Sequence, residues 1–355
     1  MNDVAELKEF LLLHARVQGM KPAEYHRVAD PIRSDDEGDP DSWAARWSAR
    51  GAELEDAGRL LEACQSYNLA RFPFPDGPTR EKAAEQCVTV FDRWRAGVPA
   101  IQPLTVDCLG GQVRCWTAGL DPAHRRPLVL VMGGQVSIKE QWAPLLPMIG
   151  ELGFAAIATE MPGVGQNTVR YTKDSWQMLS RILDAVTPSA DTSRTYAVCM
   201  SFSGHLALRC AAHDDRVRGI VAASAPIRRF FTDTGWQRHV PKLTVDSLEH
   251  LTGDRLAAMA DWALDDETLA AVTVPVHYLV SRRDEIVPAD EGALLAGLAP
   301  DVHLMSNDDV HGSPDRLLET RLWVVLSLLR MHGSHRVRRA LLATVLTLRR
   351  LAGKR

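Results

Sequence analysis

A serine between an apolar segment and a helical pattern is the first residue that could carry out chemistry. Residues 195–198 predict a buried strand that runs into Ser201, and residues 202–209 have a helical pattern. A turn this sharp needs small residues two positions before and after the serine, and Cys199 and Ser203 occupy those positions. Both are small, although neither is the glycine usual at such turns. The pattern therefore predicts a nucleophile elbow at Ser201.

An acid and a histidine follow this serine at positions suited to activating it. Asp284 comes after a predicted strand at 274–280, and His311 lies in a loop after a predicted strand at 302–305. A serine hydroxyl is a weak nucleophile until an imidazole takes its proton, and an acid must orient that imidazole. The order Ser, Asp, His along the chain is the α/β-hydrolase order. We therefore predict a catalytic triad of Ser201, Asp284 and His311.

An oxyanion hole would complete this machinery. In this fold it is formed by the N–H after the nucleophile and by an N–H from the loop after the third strand. Phe202 follows the nucleophile, and the loop at 132–136 contains Gly134 and Gln135. We predict that the backbone N–H groups of Phe202, Gly134 and Gln135 stabilise the oxyanion.

Four further residues are candidate substrate contacts, because ligand sites are mostly apolar with a few polar groups. They are Trp142, Tyr171, His205 and Trp236. Core packing explains each aromatic residue equally well. A buried, hydrogen-bonded histidine is the simpler interpretation of His205, which lies four residues after Ser201.

The elements that must position these residues follow an alternating pattern. Short apolar segments bounded by turns are separated by segments of helical length, at 128–132, 155–158, 195–198, 217–222 and 274–280. Such alternation is typical of a parallel sheet covered by helices. Apolar and polar residues alternate on both sides of Gly110 and Gly111, and this pattern predicts a β-hairpin that precedes these apolar segments. We expect an α/β-hydrolase fold, with a mostly parallel central sheet flanked by helices.

Two segments lie outside this alternation. Residues 1–100 are mostly helical and predict an accessory or lid segment, and residues 226–270 predict a helical cap insertion. The α/β-hydrolase core is then divided between residues 101–225 and residues 271–355, the second part ending in C-terminal helices.

Composition excludes several classes of function. The 41 Lys and Arg against 45 Asp and Glu give a net charge of −4, without the positive field that nucleic-acid binding requires. The six cysteines form no CxxC pair, so no metal site is indicated, and nothing indicates a cofactor. The apolar run at 10–13 near the start is too short for a signal-peptide core, and the later apolar stretches at 322–329 and 340–348 are too short to span a membrane. We expect a soluble, cytoplasmic protein that acts on a small molecule.

Several short motifs carry a resemblance to a known family. They are GGQVSIKE at 133–140, EMPGVG at 160–165, MSFSG at 200–204, DEIVP at 284–288 and the histidine loop. Together they resemble the α/β-hydrolases related to the fermentation-respiration switch protein, dihydropseudooxynicotine hydrolase and the fungal hydrolases that shorten polyketide pigment precursors. The match spans roughly residues 40–330, and Glu160 with Met161 departs from the Asp-Gly that many relatives carry.

The resemblance implies roles as well as a fold. The catalytic roles fall on Ser201, Asp284 and His311, while the helical segment and the insertion enclose the substrate. A homodimer is implied, because such proteins often form one. The family includes ester hydrolases and enzymes that cleave carbon–carbon bonds beside carbonyls.

Our leading functional prediction is a serine hydrolase that works through an acyl-enzyme. It cleaves an ester, a thioester or a carbon–carbon bond next to a carbonyl in a bulky, polyketide-like secondary metabolite. One alternative is an acyltransferase or cyclase that uses the same triad on a polyketide or carrier-bound substrate. Another is a non-catalytic regulatory or binding protein on a hydrolase scaffold, since fold alone does not give function.

The C-terminal segment from residue 317 is helical and basic. Its second half places arginines around an apolar stripe and contains no acid after residue 319. Such a helix could bind the acidic surface of an acyl carrier protein. Alternatively, it could be a solvated helix that packs on the core.

Overall fold

The computed structural model describes residues 2–352. Within this range, the N-terminal part of the chain consists of five helices, and the predicted break at 72–79 separates the fourth helix from the fifth. These helices are α1 (Val4–Val17), α2 (Pro22–Ala29), α3 (Trp43–Asp56), α4 (Leu60–Ala70) and α5 (Pro78–Arg95). Side chains cap two of them, since Asp3 accepts from the N–H of Ala5 and Ser42 accepts from the N–H of Ala45. Proline in the first turn begins α2 and α5, where its missing N–H costs nothing.

One eight-stranded sheet forms the centre of the molecule. Its strands are β1 (Gln102–Cys108), β2 (Gly111–Ala118), β3 (Pro127–Met132), β4 (Ala155–Thr159), β5 (Asp191–Met200), β6 (Val217–Ala223), β7 (Val276–Ser281) and β8 (Val302–Asn307). Their spatial order is β1-β2-β4-β3-β5-β6-β7-β8. The predicted hairpin is β1–β2, and β2 pairs antiparallel with β4, while the other pairs are parallel.

Most helices of the second part cover this sheet. They are α6 (Lys139–Trp142), α7 (Leu146–Glu151), α8 (Gln177–Val186), α9 (Phe202–Ala211), α10 (Arg229–Thr232), α11 (Thr234–Gln237), α12 (Lys242–Thr252), α13 (Asp266–Ala271), α14 (Glu291–Leu298), α15 (Leu317–His332) and α16 (Arg336–Ala352). Four short 3-10 helices lie at Ala143–Leu145, Leu256–Ala258, Ala260–Trp262 and Pro314–Arg316. Helices α10 to α13 lie between β6 and β7, where the insertion is predicted, and α13 ends one residue beyond the predicted boundary. We call residues 226–270 the cap segment.

The central strands are apolar on both faces because helices cover both faces. Every residue of β3 and β4 is buried. The predicted α/β-hydrolase fold is confirmed, with small changes at strand ends. Strand β7 begins at Val276 rather than at residue 274, after Pro275, which has no N–H to donate to a ladder.

The N-terminal helices do not form a separate core. Their apolar cluster contains Leu7, Leu11, Trp43 and Phe72, and it continues into other parts of the chain through Val136 and Leu243. Val136 lies in the loop after β3, and Leu243 lies in α12 of the cap segment. The N-terminal helices therefore pack directly on the two segments that surround the carboxyl end of the sheet.

All six cysteines lie within the described residues, and each is a buried free thiol. Among residues 2–352, no helix combines the length and the apolar character that crossing a bilayer requires.

Candidate active site

Ser201 occupies a strained turn between β5 and α9. Its backbone φ is 57° and its ψ is −132°, a conformation rare for residues with a side chain. The N–H of Ser201 donates to the carbonyl of Ala223 at 2.8 Å, and the N–H of Gly204 donates back to the carbonyl of Ser201 at 2.8 Å. A Cβ at Gly204 would lie 2.6 Å from the Cβ of Ala225, so only glycine fits there. These contacts hold the strained serine in place.

The two small residues beside the turn are fully buried, as their size allows. Ser203 stands where such motifs usually have glycine, and its hydroxyl lies 2.9 Å from the carbonyl of Met132 and 2.9 Å from that of Met200. Cys199 is completely buried within the sheet. Ser203 therefore adds a link between the elbow and the end of β3 that a glycine could not provide.

Ser201, His311 and Asp284 form a continuous hydrogen-bonded chain. The Nε2 atom of His311 lies 2.9 Å from the Oγ of Ser201. Its Nδ1 atom lies 2.9 Å from both carboxylate oxygens of Asp284. The backbone N–H groups of Ile286 and Val287 donate to Asp284 Oδ1 at 2.9 and 2.8 Å, which fixes the carboxylate. The structure thus brings together three residues from the ends of three strands.

The charge of Asp284 controls the protonation of His311. Burial alone would lower the pKa of His311, but the Asp284 carboxylate raises it above the usual value, by its charge and by its hydrogen bond. The nearby charge of Glu285 acts in the same direction. The imidazole is therefore a stronger base than an isolated histidine.

The loop that carries His311 is held from two sides. The N–H of His311 donates to Glu285 Oε2 at 3.0 Å. Asp309 accepts from the N–H groups of Val310 and Asp315 at 2.9 Å each. Gly312 has a φ of 73°, and a Cβ there would lie 2.7 Å from the side chain of Leu13 in α1. The first helix therefore packs directly on the histidine loop.

The loop after β3 passes beside the nucleophile. A Cβ at Gly134 would lie 3.1 Å from the Cβ and 3.4 Å from the Oγ of Ser201, so the main chain approaches the serine closely. The Gly134 carbonyl accepts from the N–H of Ser137 at 3.0 Å, which makes this segment a turn. Phe202 begins α9, and the N–H groups of a first helical turn have no partner inside the helix. The predicted oxyanion residues Gly134 and Phe202 therefore flank Ser201, with Gln135 next in the loop.

The loop after β3 is also tied to the N-terminal helices by Arg71, which our sequence reasoning missed. Arg71 is the buried C-cap residue directly after α4, and its Nη2 donates a hydrogen bond to the carbonyl of Val136. Its Nε donates to Asn68 Oδ1 at 3.0 Å. Among residues 2–352 it forms no ion pair with a carboxylate, although it is buried in charged form. The sequence feature that could have identified Arg71 is its position as a charged residue just before a proline-rich break in the helical pattern.

His14 is a second residue that the sequence analysis missed. It is buried on α1, and its ring packs against Phe72 with centroids 4.8 Å apart. Burial and the charge of Arg71 lower the pKa of His14 to about 3, and His311 is close enough to contribute. His14 is therefore neutral at physiological pH. Its place on the apolar stripe of α1, three residues after Leu11, was the available signal.

A buried ion cluster lies below the loop after β3. Lys139 Nζ is 2.8 Å from Glu140 Oε1 and 3.3 Å from Glu160 Oε1. Trp116 Nε1 donates to Glu140 Oε1 at 2.9 Å. Burial raises the pKa of Glu160 to about 7, against the opposing charge of Lys139. Glu160, which departs from the family motif, therefore has a structural partner within this chain.

The candidate substrate contacts have different surroundings. Trp142 packs beneath the loop after β3, where a Cβ at Gly133 would lie 2.5 Å from its Nε1. Tyr171 is buried against Trp262, and its hydroxyl has no partner among the described residues. His205 Nδ1 lies 3.1 Å from the carbonyl of Pro226, and burial lowers the pKa of His205 to about 3.

Trp236 joins the cap segment to the loop that carries Asp284. Its Nε1 donates to the carbonyl of Ile286 at 2.8 Å. The side chain of Gln135 makes a similar link, since its Nε2 donates to the carbonyl of Thr244 at 2.9 Å. The cap segment is thus bonded both to the acid loop and to the loop beside the nucleophile.

The described residues contain no group of three or more His, Cys, Asp or Glu side chains that could hold a metal ion.

Comparisons with known proteins identify the family of this chain. The model of the FrsA-like esterase family matches residues 43–294. The curated protein Esterase FrsA of Serratia proteamaculans (strain 568) is 23% identical over 288 residues, which cover 73% of this chain and 68% of the relative.

Solved structures extend the similarity to nearly the whole chain. The structure named AbyA5 Wildtype is 49% identical, covers 98% of this chain and 99% of its own, and superposes with a TM-score of 0.93. The 2,6-dihydroxy-pseudo-oxynicotine hydrolase shares the fold, with 16% identity, 94% coverage of both chains and a TM-score of 0.68. The protein is therefore a hydrolase with the α/β-hydrolase fold, and it belongs to the FrsA-like esterase family.

Proposed function

We propose that Ser201 is the nucleophile of this hydrolase, with His311 as general base and Asp284 as the residue that orients the imidazole. The observation that carries this proposal is the chain of 2.9 Å contacts from Ser201 Oγ through His311 to Asp284. The strained backbone of Ser201 supports it, because strain persists where surrounding contacts preserve a functional geometry.

The reaction would proceed through an acyl-enzyme. Ser201 Oγ attacks the substrate carbonyl while its proton passes to His311 Nε2, and the N–H groups of Phe202 and of the Gly134–Gln135 loop receive the oxyanion. The tetrahedral intermediate then expels the leaving group, which takes the proton from His311. Water attacks the acyl-enzyme with His311 again acting as base, and it releases the acid and free Ser201.

We propose as substrate a bulky, polyketide-like compound with an ester, a thioester or a cleavable carbon–carbon bond next to a carbonyl. In the carbon–carbon case the leaving group departs as a carbanion or enolate, and the imidazolium of His311 protonates it. The position of helix α1 and the cap segment supports the proposal of a bulky substrate, because the two meet above the carboxyl end of the sheet. Glu6 of α1 accepts from the N–H of Leu243 at 2.9 Å, and Arg16 of the same helix donates to the carbonyl of Pro314 at 3.1 Å. We propose that they form the lid over the substrate.

A fluorophosphonate probe tests the nucleophile without knowledge of the substrate. The purified protein is labelled, and the adducted peptide is identified by mass spectrometry. We expect an adduct on Ser201 that is absent in Ser201→Ala. The matched control is Ser203→Gly, which restores the usual glycine of the motif and keeps the nucleophile, so labelling should persist.

Product analysis then separates the three functional alternatives. Labelling together with release of free acid from ketones, esters or thioesters supports the hydrolase. Transfer of the acyl group to an alcohol, an amine or an internal nucleophile in place of water would make the protein an acyltransferase or cyclase. A folded protein that the probe enters without reacting at Ser201 would leave only the binding-protein alternative.

A further inference from the structure

Helix α16 exposes its main apolar stripe to solvent. Val337, Leu341, Leu348 and Leu351 are 83%, 63%, 61% and 58% exposed, and Val345 is 37% exposed. They are spaced by three and four residues, so they form one stripe about 21 Å long. Surface helices of globular proteins normally turn such a stripe towards the core. An exposed stripe of this kind marks an interaction surface.

The opposite side of α16 attaches the helix to the protein. Leu346 is buried, and Leu342 and Ala343 pack against α15 and the sheet. Arg350 donates to the carbonyl of Ser306 at 2.9 Å and to Asn307 Oδ1 at 3.2 Å. The helix is therefore fixed in orientation, and its exposed stripe does not result from a detached segment.

The charges around the stripe are all positive. Residues 336–352 contain five arginines and no acid. Arg336, Arg338 and Arg339 form no ion pair within the described residues, and they lie in the first turn of α16. Cations at a helix N-terminus are unfavourable because the helix dipole is positive there. Free arginines, the helix dipole and an apolar stripe together favour an anionic partner.

A second copy of the chain fits this surface poorly. The five apolar side chains expose on the order of 500 Å² together, against about 800 Å² per partner in a stable interface. Two copies of α16 paired along the stripe would place arginines against arginines, because the helix has no acid to offer.

We propose that α16 is a docking face for an anionic membrane surface. The exposed apolar stripe and the arginines beside it match the two chemistries of an anionic bilayer boundary, which are acyl chains and negatively charged headgroups. The apolar side chains of the stripe would enter the boundary between headgroups and acyl chains, while Arg336 and Arg338, which are exposed beside the stripe, contact lipid phosphates. The helix would lie on the membrane without crossing it.

Vesicle sedimentation of the full-length protein tests this proposal. Vesicles of phosphatidylcholine alone are compared with vesicles that contain about one third phosphatidylglycerol. We expect binding to the anionic vesicles only. The double variant Leu341→Ser with Leu348→Ser should weaken binding by about tenfold or more, because two apolar contacts are lost. Arg336→Gln with Arg338→Gln should weaken it by about thirtyfold.

The matched control is Met148→Ser with Leu304→Ser, which removes two exposed apolar side chains outside α16. This control should bind like the wild type. Circular dichroism and hydrolysis of a nitrophenyl ester verify that each variant is folded. In this assay the proposal is overturned by no binding to anionic vesicles, by equal binding to neutral vesicles, or by equal loss in the control.

Sedimentation equilibrium distinguishes the other occupants. A dimer that Leu341→Ser with Leu348→Ser converts to a monomer would identify the stripe as a contact between copies and would contradict membrane docking. If the protein is a monomer and binds neither kind of vesicle, an acidic protein remains as the partner of the stripe, and the proposal is overturned.

Discussion

The guanidinium group of Arg71 donates a hydrogen bond to the main-chain carbonyl of Val136. Arg71 is the C-cap residue of a helix in the N-terminal segment, and Val136 lies directly after the loop residues Gly134 and Gln135. The orientation of the N–H groups in that loop therefore depends on a residue outside the α/β core. Because oxyanion hydrogen bonds need donors at fixed positions, Arg71 is a positioning residue for the proposed reaction.

Arg71→Met should lower kcat with little change in KM. The loss of one oxyanion donor costs about a hundredfold to a thousandfold, and a displaced loop should cost about tenfold to a hundredfold. Steady-state hydrolysis of a nitrophenyl ester measures both constants. Arg71→Lys keeps a donor and a charge, and it should recover part of the loss. An unchanged kcat in a folded Arg71→Met protein would contradict this role.

Asp284→Asn should lower kcat by about ten-thousandfold, because the asparagine favours the wrong tautomer of His311. The matched control is Asp308→Asn, an exposed carboxylate three residues before the histidine. The control should keep nearly all activity. Similar losses in the two variants would show that any change of charge near this loop disturbs the site.

The pH dependence of kcat/KM should follow the protonation of His311. The general base must be neutral, so activity should rise with pH through the pKa of His311. Asp284 raises this pKa above the usual value of 6.5, so the midpoint should lie above 6.5. Residual activity of Asp284→Asn should have a lower midpoint. A wild-type midpoint below 6.5 would argue against a charged Asp284 beside the imidazole.

Lys139→Met should destabilise the protein by about 3 to 5 kcal/mol, because Glu140 and Glu160 would be left buried without their cation. Urea unfolding measures the change in the free energy of unfolding. The matched control is Lys173→Met, which removes an exposed ion pair with Asp261 and should cost less than about 1 kcal/mol. Equal effects of the two variants would show that the buried cluster contributes no more than a surface pair.

The residues of the proposed triad could be found in the sequence because each follows a strand with a clear local pattern. Apolar residues 195–198 lead into Ser201, and turn residues surround Asp284 and His311. The carboxyl ends of parallel strands meet at one edge of a sheet, so the fold itself predicts that these residues approach one another. The distances among them could not be predicted, since they depend on how the three loops pack.

The exposed stripe of α16 shows what the periodicity of a sequence cannot predict. The pattern of leucines and valines predicts an amphipathic helix, yet the same pattern fits a stripe that faces either the core or the solvent. Which face packs against α15 is decided by Leu346, by Leu342 and by the bonds of Arg350 to β8.

The sequence by itself determined the class of fold, the order of the strands along the chain and the three residues of the proposed triad, because these depend on local patterns. Only the tertiary structure decided that the N-terminal helices share a core with the site and that Arg71 and His14 lie beside it. It also decided that Lys139 is buried between two carboxylates. Lys139 and Glu160 are 21 positions apart, and Arg16 of α1 and Pro314 are 298 positions apart. Because of chain entropy, such contacts form only when the whole core packs at once.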